Sequence, residues 1–140
     1  MNKRNVFNYP LDHIGHAVND LTASIKFYTE TLGWKLELTE SLDAHQVDVA
    51  FVSNDFNAIE LLAPKPNNTV LKKFLSDRGE GLHHLCYRVE SVKEELEILK
   101  AKGFLLIDEK PRLGSRDLFV AFIHPKSTKG VLLEICSIKE

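Results

Sequence analysis

Only two cysteines, Cys86 and Cys136, occur in 140 residues, and they stand far apart without the close C-x-x-C spacing of a zinc or redox motif. Both fall inside apolar strand patterns, so reduced core thiols are expected and a disulfide framework is not. Runs of five or six like charges are also missing, and 18 Lys and Arg against 20 Asp and Glu leave a formal net charge of -2. Nucleic acid is therefore not an expected partner, since it calls for a basic patch or stripe. No apolar stretch approaches the roughly 18 residues of a membrane span. The polar start Met1-Asn2-Lys3-Arg4-Asn5 lacks the apolar run of a secretory signal. The expectation is a soluble cytoplasmic chain with no membrane contact. With 44% hydrophobic residues, it has enough apolar side chains for the core of one ordinary domain spanning 1–140.

What the chain does have is an internal repeat. His13-Ile14-Gly15-His16-Ala17-Val18 is followed by an amphipathic helix and Gly33-Trp34, and His84-Leu85-Cys86-Tyr87-Arg88-Val89 by a helix and Gly103-Phe104. In the first copy, Leu21, Ile25, Tyr28 and Leu32 recur at helical spacing, with Asp20 as N-cap and Gly33 as stop. Strands are expected at 34–39, 47–52 and 58–62, the last preceded by the turn residues Asn54-Asp55 and Asn57. Pro64-Lys65-Pro66-Asn67-Asn68 reads as a linker leading into a short helix with Val70, Leu71, Phe74 and Leu75 on one side. The second copy predicts strands at 82–89, 104–107, 118–123 and 131–135, with a helix from Ser91 carrying Val92, Leu96 and Leu99. The domain thus divides into repeat one at about 11–62, a linker and short helix at about 63–80, and repeat two at about 82–136, each repeat a βαβββ unit. The fold class is α+β.

The repeat places His13 and His84 in matching slots, and Glu60 and Glu134 in another matching pair. Strand alternation puts His13, Gly15 and Ala17 on one face and Ile14, His16 and Val18 on the helix-packed face. Glu60 lies between Ile59 and Leu61, and Glu134 between Leu133 and Ile135. A carboxylate within such a strand has to be solvated or satisfied, because burying it alone is too unfavourable. Two imidazoles and two carboxylates at symmetric slots predict one divalent metal site, suited to Co, Zn, Ni, Mn or Fe, with no thiolate to favour a soft ion. His16 reads as a core or hydrogen-bonded histidine, His83 as structural, and His124 as a cap on the turn before Pro125. Cys86 shares the face of His84.

His13-Ile14-Gly15, Glu60-Leu61-Leu62, Gly81-Leu82-His83-His84 and Gly130-Val131-Leu132-Leu133-Glu134 together resemble the vicinal oxygen chelate superfamily, which includes glyoxalase I and the extradiol dioxygenases. Pro111-Arg112-Leu113-Gly114 and the run from Phe122 to Glu134 bring the likeness nearest to the methylmalonyl-CoA epimerases. The resemblance covers nearly the whole chain. It implies two βαβββ repeats forming a curved, cup-shaped mixed sheet with helices on its outer face, a metal held by His13, Glu60, His84 and Glu134, and a homodimer. Two segments depart from the family pattern. At Asp43-Ala44-His45-Gln46-Val47-Asp48 no acidic residue falls in register, leaving Asp48 as the nearest candidate for a base beyond the metal ligands. After Pro-Arg-Leu-Gly the segment is reduced to Ser115-Arg116-Asp117.

The implied chemistry is abstraction of the proton α to a thioester on an acyl-CoA, with a metal stabilising the charge that develops on the carbonyl oxygen. Glu134, Glu60 or Asp48 would carry the proton. The alternatives are a glyoxalase-type lyase or isomerase acting on a glutathione hemithioacetal, and a binding protein of the same fold that sequesters a small molecule such as an antibiotic. An extradiol dioxygenase fits less well, because it needs three open metal positions and a ligating Glu60 would fill one.

Overall fold

A computed structural model describes residues 8–140. In chain order the regular elements are β1 (Leu11–Ala17), α1 (Leu21–Lys26), β2 (Lys35–Leu42), β3 (Val47–Ser53), β4 (Ala58–Pro64), α2 (Thr69–Arg78), β5 (Gly81–Arg88), α3 (Val92–Ala101), β6 (Arg112–Leu113), β7 (Phe119–Ile123) and β8 (Leu133–Ser137). The chain is α+β. It separates into two compact units, one formed by 13–83 and the other by 84–140 with the segment ending at Asp12. No helix among the described residues is long and apolar enough to cross a membrane.

In the unit 13–83 the strands run in the order β2-β3-β4-β1, with β1 parallel to β4 and the other pairs antiparallel. Alternation divides its side chains between two layers. Ile14, Val18, Ala50, Val52, Ile59 and Leu61 pack with Leu21, Ile25 and Tyr28 of the first helical segment. Ala17, Val47, Val49, Phe51 and Leu62 face the other way, toward Leu71 and Leu75 of α2. Asp20 caps α1 by accepting from the Ala23 amide at 3.0 Å, and Asn68 caps α2 by accepting from Leu71 at 2.9 Å.

The first helix departs from the single α-helix expected. After Lys26 it widens into a π turn over Phe27–Thr31, closed by Leu32 N–H donating to the Phe27 carbonyl at 3.1 Å. The Thr29 hydroxyl donates to the Ile25 carbonyl at 2.9 Å, a side-chain competitor for the helix ladder where the ladder changes step. Tyr28 then reaches the sheet, its hydroxyl 2.9 Å from His16 Nδ1. Burial pushes the Tyr28 phenol up and the His16 imidazole down, the latter partly offset by Glu80. His16 is thus the hydrogen-bonded histidine the alternation implies.

The second unit repeats the plan, with strand order β5-β8-β7-β6 and β5 parallel to β8. Its main core joins Val92, Leu96 and Leu99 of α3 to Ala121, Ile123, Leu133 and Ile135. Ser91 caps α3 by accepting from the Glu94 amide at 3.2 Å, and His124 Nδ1 accepts from the Lys126 amide at 3.0 Å.

The strand expected at 104–107 does not form, and the second strand of this unit is instead the two-residue β6 further on. The cause lies at Asp108. Its carboxylate accepts from the Phe122 amide at 2.8 Å, while the Phe122 carbonyl receives both Ile107 and Asp108 N–H groups. A side chain thus takes a backbone donor of β7, and only a single bridge, Leu106 to Ile123, remains of the ladder.

Leu61 is 0% exposed at the centre of the α1 layer, whereas Val70 on α2 is 78% exposed. Leu61→Ala is expected to lower unfolding free energy by about 2–5 kcal/mol, and Val70→Ala to change it by less than about 0.5 kcal/mol. Urea denaturation of the two variants checks the difference; equal midpoints would contradict this packing.

Candidate metal centre

Gly15 stands opposite Glu60 in the parallel β1/β4 register, and Phe51 stands opposite Glu60 across the antiparallel β3/β4 pair. Residues opposed in register share a face, so Glu60 lies on the same side as Gly15 and, by alternation, His13. The side chains meet there, with His13 Nε2 3.6 Å from Glu60 Oε1. The His13 ring meets Phe51 edge-on, with centroids 5.2 Å apart and planes at 86°. His13 is 3% exposed and Glu60 8%.

The second unit builds the same arrangement from its own strands. Phe122 is opposite Glu134 in the β7/β8 pair. His84 Nε2 lies 3.2 Å from Glu134 Oε1, and the His84 ring meets Phe122 at 5.5 Å and 89°. His84 is 4% exposed and Glu134 7%. The phenylalanines are a part of the site that a search for ligating residues does not find. Each follows its histidine at the same spacing in the two copies, a signal that was present in the sequence. Their rings are apolar walls that fix the imidazole planes and keep water from one side of each pair.

The chemistry of these pairs fits a cation. Two carboxylates are withdrawn from water, and each faces an imidazole nitrogen. Such burial is tolerated when positive charge or hydrogen bonds compensate it. Each unit thus offers one imidazole nitrogen and one carboxylate oxygen, His13 with Glu60 and His84 with Glu134, donors of the kind that hold a divalent metal ion.

Asp48 does not join them. It is on β3 between Val47 and Val49, so alternation puts it with Ala50 and Val52 on the α1 layer, while Phe51 and Glu60 face the opposite side. Its carboxylate is paired with Lys65 Nζ at 3.6 Å, and the same amine holds Asp43 at 2.8 Å. The hydrogen bond and charge of Lys65 pull the Asp43 carboxyl down, and Asp43 in return raises Lys65. The structure thus does not bring Asp48 to the side chains of His13 and Glu60; the 43–48 segment forms an ion-paired turn, with Gln46 in the left-handed region at φ 53°.

The family follows from comparison with known proteins. The model of the glyoxalase/bleomycin resistance protein/dioxygenase superfamily matches residues 12–122, and the chain belongs to that superfamily. The uncharacterized protein YqjC of Bacillus subtilis is 36% identical over 129 residues, which is 92% of this chain and 92% of YqjC. Ethylmalonyl-CoA/methylmalonyl-CoA epimerase of Cereibacter sphaeroides is 33% identical over 127 residues, covering 89% of this chain and 95% of the epimerase. The crystal structure of methylmalonyl-CoA epimerase from Mycobacterium tuberculosis aligns with a TM-score of 0.90 at 32% identity, over 100% of this chain and 94% of that one.

The placement of Asp48 yields a direct expectation. Asp48→Asn should leave metal content unchanged and turnover within about threefold of the parent, whereas loss of a general base lowers rate by about 100-fold or more. Steady-state kinetics of the variant decides between them, and a 100-fold loss would restore Asp48 to the reaction.

Proposed function

We propose that the chain is a metal-dependent epimerase that removes and returns the proton α to the thioester of a short, branched malonyl-type acyl-CoA. The observation that carries this reading is the duplicated His–Glu pair, two imidazoles and two carboxylates with no thiolate. Relatives that are epimerases of ethylmalonyl-CoA and methylmalonyl-CoA supply the substrate class. His13, Glu60, His84 and Glu134 would hold one divalent ion among Co, Zn, Ni, Mn or Fe. Four protein donors leave about two positions of an octahedral ion for a chelating substrate. When bound, the ion supplies Lewis-acid stabilisation of the negative charge that appears on the thioester oxygen as the α-carbon loses its proton.

The remaining work belongs to the chain. Phe51 and Phe122 hold the imidazoles edge-on and exclude water beside the carboxylates, which strengthens every electrostatic interaction there. With Asp48 on the other layer, Glu60 and Glu134 are the carboxylates on the histidine-bearing faces of their units. A carboxylate there takes the α-proton and a proton is returned to the opposite side of the planar enolate, which inverts the centre. The reading includes a homodimer, checked by light scattering at micromolar concentration; a monomer mass there would contradict that part.

The test is solvent exchange. With a divalent ion supplied, methylmalonyl-CoA in deuterated water should gain deuterium at the α-carbon and lose its stereochemical purity. Glu134→Gln should cut exchange by about 100-fold or more. Absence of exchange, together with turnover of the hemithioacetal of methylglyoxal and glutathione, would replace this reading with a glyoxalase-type one.

A further inference from the structure

A second group of ligand-type side chains lies wholly within the unit that contains 84–140. Cys86 on β5 and Cys136 on β8 share the face of His84 and Glu134 by alternation, and both are 0% exposed. The Asp12 carboxylate joins them, and one oxygen of Asp12 and the two sulfurs all lie within 4.8 Å of one another. Leu118 and Val120 wall the thiols. Two guanidinium groups steady the carboxylate: Arg116 Nη2 is 2.5 Å from Asp12 Oδ2, and Arg88 Nε is 3.3 Å from Oδ1. Arg116 reaches this position from a backbone in the left-handed region, at φ 59°, and Asp117 follows at φ 56°. Non-glycine residues are held so only where surrounding contacts over-determine them.

We propose that Cys86, Cys136 and Asp12 form a second metal site, selective for a soft divalent ion of the Zn2+ and Cd2+ kind. A disulfide is the obvious competing use of two close thiols, and the strand register opposes it. Cys86 is opposite Glu134 and Cys136 opposite Arg88, so the cysteines are diagonal neighbours. Diagonal positions are about 7–8 Å apart, beyond the roughly 7 Å over which a disulfide closes without backbone movement. A bridging ion has no such difficulty. Tetrahedral zinc with Zn–S bonds of about 2.3 Å sets its sulfurs about 3.8 Å apart, compatible with ligand atoms that all lie within 4.8 Å of one another.

Charge also favours the exchange. One divalent ion enters, two S–H bonds break, two metal–sulfur bonds form and two protons leave to solvent, so the net charge of the cluster is unchanged. Nothing is oxidised or reduced. The Asp12 oxygens together offer about four lone-pair sites, so a metal bond is compatible with both arginine contacts. Arg88 and Arg116 therefore face the same net charge before and after the ion enters, and their contacts to Asp12 are kept. Metal–sulfur bonds require the thiolate form, so a thiophilic ion is the kind that displaces both protons.

The experiment uses the full chain, freed of metal and titrated with Cd2+. A near-ultraviolet thiolate-to-cadmium absorption should grow and saturate, persist in His84→Ala, and vanish in the double variant Cys86→Ser with Cys136→Ser. X-ray absorption at the cadmium edge on the parent protein, loaded with two equivalents, gives the answer without any variant and should show sulfur neighbours. A cadmium environment of nitrogen and oxygen alone, or a thiolate band that survives the double variant, would overturn the proposal.

Discussion

The proposed function turns on two buried carboxylates. Glu60 and Glu134 are less than a tenth exposed, each within a strand whose neighbouring residues are packed into an apolar layer. A folded chain tolerates such a group only if positive charge or dense hydrogen bonding reaches it. His13 and His84 stand at 3.6 and 3.2 Å from those carboxylates, and a neutral imidazole does not neutralise a carboxylate. A divalent ion ligated by both groups does. In this account, the requirement to balance buried charge and the requirement for a Lewis acid are met by the same atoms, and the βαβββ unit is the device that delivers one imidazole and one carboxylate to one sheet face.

The units achieve this through register. In each, the strand bearing histidine runs parallel to the strand bearing glutamate, and the neighbouring antiparallel strand sets a phenylalanine opposite the glutamate. A shift of one residue in any of these pairings would turn the polar group into the helix-packed layer. Stability and function are therefore coupled: the Leu61 and Ile135 layers that fix the register also fix the donors. Disruption of the core in one unit is expected to weaken metal binding without any change to a ligand.

Periodicity made most of this legible before any coordinates. Period-two alternation located His13, His84, Glu60 and Glu134 on the faces they occupy, and helical spacing located α1, α2 and α3. Four features escaped, the first being the π turn over Phe27–Thr31. Asp48 sat in a strand whose two faces are both apolar, so the pattern carried no information about which side it took; Lys65, distant in sequence, settles that side in the fold. The expected strand at 104–107 failed because a single side chain, Asp108, takes the Phe122 amide. Phe51 and Phe122 were not singled out, since an aromatic wall beside a ligand and an aromatic in a core obey the same spacing.

The most direct measurement of the central claim is metal stoichiometry of the full chain loaded with Mn2+ or Co2+, ions suited to imidazole and carboxylate donors. The proposed function predicts about one such ion per chain on these donors, lost alike in His13→Ala and in His84→Ala with the fold intact by circular dichroism, since on that proposal both pairs serve the same ion. Two ions per chain, each lost with only its own histidine, or one ion retained in either variant, would contradict it.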